Sequence, residues 1–174
     1  MKLSQIILPA YLLLTFIILI PSAAAQTCKK TILVSNPEAS YSIHNDGTVT
    51  HQVTELMWMR CSLGMDWNGK TCSGEAATLS WGGALQRASR HAFAGYSDWR
   101  LPNRNELETI LEESCNMPAI NERVFPATPA EYFWSSSPSA GLSIAAWSID
   151  FGYGAANGSV KDGLLSVRLV RGGR

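Results

Sequence analysis

The stretch Asp98-Trp99-Arg100-Leu101-Pro102-Asn103, followed at once by Arg104-Asn105-Glu106-Leu107, constrains the fold of this chain more than any other. Leu101 precedes a proline and is held extended, while Asn103 stands three residues before Glu106, the spacing of a reciprocal capping box. Pro102 and Leu107 occupy the two positions of a hydrophobic staple. Leu107, Ile110 and Leu111 then recur at helical spacing, giving one apolar face and leaving Glu108, Glu112 and Glu113 off it. An extended segment must therefore turn sharply into a short helix. Asp98 and Arg100 suit an ion pair that ties this loop to the sheet beneath it more than one that holds a ligand.

Residues 1–25 read as a signal peptide. Lys2 precedes an uncharged, largely apolar run from Ile6 to Ile20, and Pro21-Ser22-Ala23-Ala24-Ala25 supplies a cleavage site, with the cut expected between Ala25 and Gln26. That run is short of the roughly 20 apolar residues a membrane span needs, so no span is expected in the mature chain. Residues 26–174 have the size of one domain with a real core and show no repeat or linker. The chain holds fourteen basic and fourteen acidic residues. Losing Lys2 leaves one acidic residue in excess, which argues against indiscriminate binding to nucleic acid.

Cys28, Cys61, Cys72 and Cys115 all lie in the exported part, where oxidation is expected. Four cysteines allow three pairings. Gly64, Asn68-Gly69 and Ser73-Gly74 make the segment between Cys61 and Cys72 a compact, turn-rich loop, which favours a Cys61–Cys72 bridge. Cys28–Cys115 then ties the mature N-terminus to the end of the helix after Asn103. Zinc is the rival reading, but no C-x-x-C pair occurs and His44, His51 and His91 are scattered. No cofactor or metal is expected.

Tyr41-Ser42-Ile43 and Thr48-Val49-Thr50 flank Asn45-Asp46-Gly47, a hairpin signal. Leu56 to Arg60 reads as the next strand. Ser80 caps a helix with Trp81, Ala84, Leu85, Ala88 and Ala92 as its apolar stripe and Arg87 and Arg90 turned away. An irregular stretch with Pro118, Pro126 and Pro129 follows, anchored by Ile120, Val124 and Phe125. Three strands are expected in the C-terminal third, around Tyr132–Ser136, Ala145–Phe151 and Leu165–Val170. Trp147, Ile149 and Phe151 alternate with Ser148 and Asp150, as Val167 and Leu169 do with Arg168, which predicts an antiparallel sheet with one buried face. The fold class is α+β, with two short helices packed on that sheet.

The motifs Gly47-Thr48-Val49, Leu56-Met57-Trp58, Gly95 to Asn103 with Glu106-Leu107, Phe125-Pro126, Phe133-Trp134-Ser135-Ser136-Ser137 and Val167 to Arg171 resemble, in order, those of the Lcl C-terminal domain family. The resemblance runs from about Tyr41 to Arg171. It implies an exported bacterial domain, stabilised here by disulfides, with a fold similar to C-type lectins and the formylglycine-generating enzyme. Some members of that family are adhesins for sulfated glycosaminoglycans. His51 and Glu55 stand where the family more often has an aspartate and a glycine.

Ser135-Ser136-Ser137 lacks the G-x-S-x-G turn of a hydrolase nucleophile. Gly152 to Asn157 falls one residue short of a dinucleotide fingerprint and leads into a hairpin return, not a helix. Asn157-Gly158-Ser159 matches a glycosylation acceptor, but Asn-Gly reads as a turn. Leu101-Pro102-Asn103 lacks the acidic partner of calcium-binding lectin triplets, and calcium needs a cluster of oxygen ligands. Trp147 reads as core, whereas Trp134, ahead of three serines, is expected to reach a rim. Arg87, Arg90, Arg100, Arg104, Arg123, Lys161, Arg168, Arg171 and Arg174 supply a basic second half suited to sulfate or phosphate. The candidate ligand-binding residues are Arg168, Arg171, Arg174 and Trp134; Asp98, Trp99, Arg100, Pro102 and Asn103 form the structural motif. The expectation is a non-enzymatic binding module for anionic or sulfated polysaccharide, such as a glycosaminoglycan. The alternative is an assembly component that binds envelope proteins.

Overall fold

The computed structural model describes residues 25–172. The expected signal peptide, apart from Ala25, and Arg174 lie outside the described residues. In chain order the strands are β1 (Thr27–Cys28), β2 (Tyr41–Ile43), β3 (Thr48–His51), β4 (Met57–Met59), β5 (Asp66–Trp67), β6 (Cys72–Ser73) and β7 (Thr78–Leu79). Helices α1 (Trp81–Ser89) and α2 (Arg104–Glu108) follow. Then come β8 (Cys115–Asn116), β9 (Tyr132–Pro138), β10 (Ala145–Asp150), β11 (Ala155–Val160), β12 (Leu165–Ser166) and β13 (Val170–Arg171). This is an α+β domain, mostly β, with disulfides joining Cys28 to Cys115 and Cys61 to Cys72.

Two sheets organise it, a five-stranded one in the order β11-β10-β9-β12-β7 and a four-stranded one in the order β13-β4-β3-β2. The hairpin around Asp46-Gly47 forms as expected, with Tyr41 opposite His51 and Ile43 opposite Val49. Gly47 has φ +85°, and a Cβ there would lie 2.7 Å from Trp67 Cγ, so both backbone and neighbour require glycine. Glu55 sits at φ +56° in the turn after β3, the region that favours glycine. Its N–H donates to the His51 carbonyl at 2.9 Å, closing that turn.

The C-terminal sheet departs from expectation at three points. Both faces of β9 and β10 are covered, not one. Phe133 and Ile149 enter a core with Trp58, Leu107 and Phe125, whereas Trp134 and Ala146 enter a second core with Ala84, Trp99 and Leu101. Successive side chains on a strand point to opposite faces, so each face finds its own core. Each buried Phe-sized side chain contributes about 1.5–3 kcal/mol. Secondly, Leu165 to Val170 is not one strand: β12 pairs with β7 and β9, and β13 pairs with β4, so Val167-Arg168-Leu169 crosses from sheet to sheet. Thirdly, Asn157-Gly158 is no turn but lies inside β11, opposite Ser148 and Trp147.

Ser80 caps α1 as expected, its hydroxyl accepting from Gly83 N–H at 3.3 Å, and Ala84 and Ala88 face the core. Ala92 falls past the end of that helix and is exposed. Ile120, Val124 and Phe125 are fully buried anchors of the irregular stretch. Among the described residues no helix is long and apolar enough to cross a membrane.

Candidate functional site

The segment ahead of α2 folds as its residues dictate. Asn103 adopts extended dihedrals, its side-chain oxygen accepts from Glu106 N–H at 2.9 Å, and Glu106 Oε2 accepts from Asn103 N–H at 2.8 Å. Pro102 and Leu107, the staple positions, are both buried. Trp99 is buried, with its indole N–H donating to the Phe93 carbonyl at 3.1 Å.

The expected Asp98–Arg100 pair does not form. Arg100 exchanges two backbone hydrogen bonds with Val170, which brings β13 alongside. Asp98 then meets Arg171, with Nε to Oδ1 at 2.8 Å and Nη2 to Oδ2 at 3.1 Å, while Arg100 forks onto Glu106 at 2.8 and 2.7 Å. The Arg171 hydrogen bond holds the Asp98 carboxyl below its usual value. Burial pushes Glu106 up, but Arg100 and the Asn103 N–H outweigh it and leave that carboxyl low. One glutamate thus closes the helix cap and binds the neighbouring arginine.

Above this joint, between α1 and α2, lies an open groove of about 700 Å³. Leu85, Trp99 and Leu101 give it apolar ground, and Ser89, Arg100, Asn103, Glu106 and Ser136 give it hydrogen-bonding groups. Nearby, the Arg104 guanidinium covers the half-buried Trp147 ring at 4.1 Å, and Lys161 Nζ stands 4.6 Å from the Trp81 ring centre. The serine run is largely spoken for: Ser135 Oγ donates to the Trp147 carbonyl at 2.8 Å, and Ser137 Oγ accepts from Arg104 N–H at 3.0 Å. Ser136 faces the groove.

The residues nominated as ligand-binding are not brought together. Arg168 is fully buried at the crossover between the sheets, with its guanidinium donating to the carbonyls of Met59 and Arg60 and to Thr128 Oγ1 at 2.7 Å. Trp134 is fully buried too, its indole donating to the Leu79 carbonyl at 2.8 Å. The two tryptophans exchange places, because Trp147 is the half-exposed one. Arg171 is engaged by Asp98, and its guanidinium lies 3.8 Å from the Tyr96 ring centre. Arg174 lies outside the described residues. Sequence reading missed Ser89, Ser136 and Glu106 as groove residues; the capping box was the one available signal, and it located Glu106 without its arginine. Among the described residues no group of three or more His, Cys, Asp or Glu side chains is placed to hold a metal ion.

No curated protein matches this chain. A family model described as the Lcl C-terminal domain matches residues 47–171, from the hairpin glycine through the capped joint to the strand that pairs with β4. The match spans more than half of the sequence and every strand of the two main sheets except β2, and the chain accordingly belongs to the Lcl C-terminal domain family.

Proposed function

We propose that this chain is an exported, non-enzymatic binding module with a C-type-lectin-like fold, and that its ligand is a polysaccharide held in the groove between α1 and α2. The supporting observation is that groove's mixed surface. A sugar ring presents apolar C–H faces and a girdle of hydroxyls, and the groove sets Leu85, Trp99 and Leu101 beside serine hydroxyls, an asparagine and an arginine–glutamate pair. A sulfate site built from Arg168, Arg171 and Arg174 is not carried forward, since Arg168 is buried and Arg171 is already paired.

The test is binding of the oxidised protein to an immobilised panel of neutral, uronate-containing and sulfated glycans, with and without calcium and at raised salt. Ser89 is exposed on the last turn of α1, so Ser89→Trp fills the groove without disturbing the core. Binding is expected to fall at least about tenfold, roughly the loss of one good contact, with an unchanged melting temperature. A folded sample that binds no glycan overturns the reading.

The second reading, a component of an envelope complex, draws on one observation. Leu142, Ile144, Val160 and Leu164 are 52–66 % exposed at the end of the ladder between β10 and the edge strand β11, where Lys161 N–H bonds the Ile144 carbonyl. Exposed aliphatic groups at a sheet edge suit a protein partner. Stoichiometric co-purification with envelope proteins in high salt supports this reading over the first.

A further inference from the structure

A second pocket lies on the other side of α1 from the groove, against the loop closed by Cys61–Cys72. Its volume is about 250 Å³, below the roughly 300–1,000 Å³ of drug-sized sites and suited to one small ring. Arg87 comes from the last turn of α1, His91 and Phe93 from the segment just past its end, and Asp66 and Trp67 from β5. Three constraints make it rigid. The disulfide closes the loop, Trp67 is clamped by the Arg60 guanidinium at 4.4 Å and by Gly47, and Phe93 exchanges two 3.0 Å backbone hydrogen bonds with Tyr96.

The charges single this pocket out. Four arginines are paired with carboxylates, and Arg60 and Arg168 donate to backbone carbonyls. Among the described arginines only Arg87 and Arg90 have neither kind of partner, and of these two Arg87 lines a pocket. His91 beside it stacks on Phe93, their ring centres 6.3 Å apart, and gives the pocket a flat wall next to that arginine. Asp66 at the same wall opposes a doubly charged ligand and can accept from sugar hydroxyls.

We propose that this pocket is a subsite for a carboxylate-bearing sugar unit of the uronate type. The planar carboxylate lies against the Arg87 fork, which matches it in geometry. Asp66 accepts from its hydroxyls, and the stacked rings of His91 and Phe93, with the edge of Trp67, wall its apolar face. The subsite rests on the saccharide reading of the domain and names the sugar class. The groove and the pocket flank the last turn of α1, so one chain crossing that turn reaches both.

The experiment titrates the oxidised protein with free glucuronate, glucose, acetate and a monosulfated galactose, following ¹H–¹⁵N shifts and the Trp67 indole signal. Glucuronate is expected to saturate with a Kd on the order of 1 mM, the range open to a ligand of that size. Shifts should centre on residues 64–67 and 87–93, and glucose and acetate should bind at least about tenfold more weakly, for want of the carboxylate or of the ring. Arg87→Gln, on the exposed face of α1, should weaken glucuronate about tenfold or more with the fold unchanged. Ser89→Trp should leave it unaltered. Tighter binding of the sulfated sugar, no saturable glucuronate binding, or an undiminished affinity in Arg87→Gln each overturns the subsite. If the glycan panel still binds through the groove while glucuronate does not, the subsite alone falls; if glucuronate binds and Ser89→Trp leaves panel binding intact, the groove falls.

Discussion

Arg168 and Glu112 are both buried and both ionisable, and each is kept by hydrogen bonds rather than by an opposite charge. Burial pushes the Arg168 guanidinium down to about 9, so it remains a cation at neutral pH. Backbone carbonyls, the hydroxyls of Thr128 and Ser62, and the faces of Phe125 and Phe133 solvate it in place of water. Glu112 was expected off the apolar face of its helix, yet α2 ends at Glu108 and the carboxylate turns inward. It accepts from the backbone N–H groups of Ser35, Asn36 and Ser114 at 3.1, 2.8 and 3.0 Å. Burial raises its pKa, and the hydrogen bonds from Ser114, Asn36 and Ser35 more than offset that, leaving it below 4.5. A carboxyl depressed in the folded state stabilises the fold above its unfolded value and loses that contribution as pH falls through the folded one. Glu112→Gln should therefore lose about 1.5–3 kcal/mol at pH 7. Urea unfolding at pH 7 and in acid is the measurement, and the variant's disadvantage should shrink as pH falls below about 4.5. Parallel pH profiles for the two proteins would show that the carboxylate carries no such charge-dependent role.

At the scale of elements, α2 is short enough that its cap decides it. Five residues form little more than one turn, and isolated helices of that length do not persist in water. Asn103→Ala removes one side of the box and should cost about 1 kcal/mol, within the 0.5–2 kcal/mol spread of such caps, read as a lowered thermal midpoint. Glu106 keeps its bonds to Arg100 in that variant, so the groove wall should persist, and loss of both together would mean that cap and ion pair act as one unit. This joint was legible from residues alone because capping is local. The strand around Leu165–Val170 was not. Alternation of Val167 and Leu169 with Arg168 is what a half-exposed strand shows, but the segment bridges two sheets and Leu63 and Met59 bond its backbone at 2.8 and 3.1 Å. Asn157-Gly158 failed for a related reason, since the turn is made by residues 151–154 instead.

For the whole molecule the two disulfides differ in reach. Cys28–Cys115 spans 87 residues and Cys61–Cys72 spans 11. In the chain-entropy account the longer loop contributes roughly 4–5 kcal/mol and the shorter roughly 2–3 kcal/mol. Replacing Cys28 and Cys115 together by serine should lower the urea midpoint more than the same change at Cys61 and Cys72. The shorter bridge should matter more for the pocket at Arg87, because its loop carries Asp66 and Trp67. Equal midpoints for the two double variants would show that native packing of the N-terminal segment, not chain entropy, sets the effect. That segment is also held by Gln26, whose side-chain amide donates to the carbonyls of Pro118 and Ile120 at 2.7 Å each.

Local chemistry was readable from the sequence by itself: the capped joint at Asn103, the Asp46-Gly47 hairpin, the Ser80 cap, the two cysteine pairings and the family. Each depends on residues close in the chain, on a spacing, on an ordered series of motifs or, for Cys28–Cys115, on the two cysteines that the closer pair leaves over. Which polar side chains face water was decided only by the tertiary structure. Arg168 and Trp134 became core, Trp147 and Ser136 became surface, and Asp98 and Arg100 found partners 73 and 6 residues away. A side chain's exposure depends on what packs over its face from distant segments. An alternating pattern fixes which residues share a face, but not whether that face is covered.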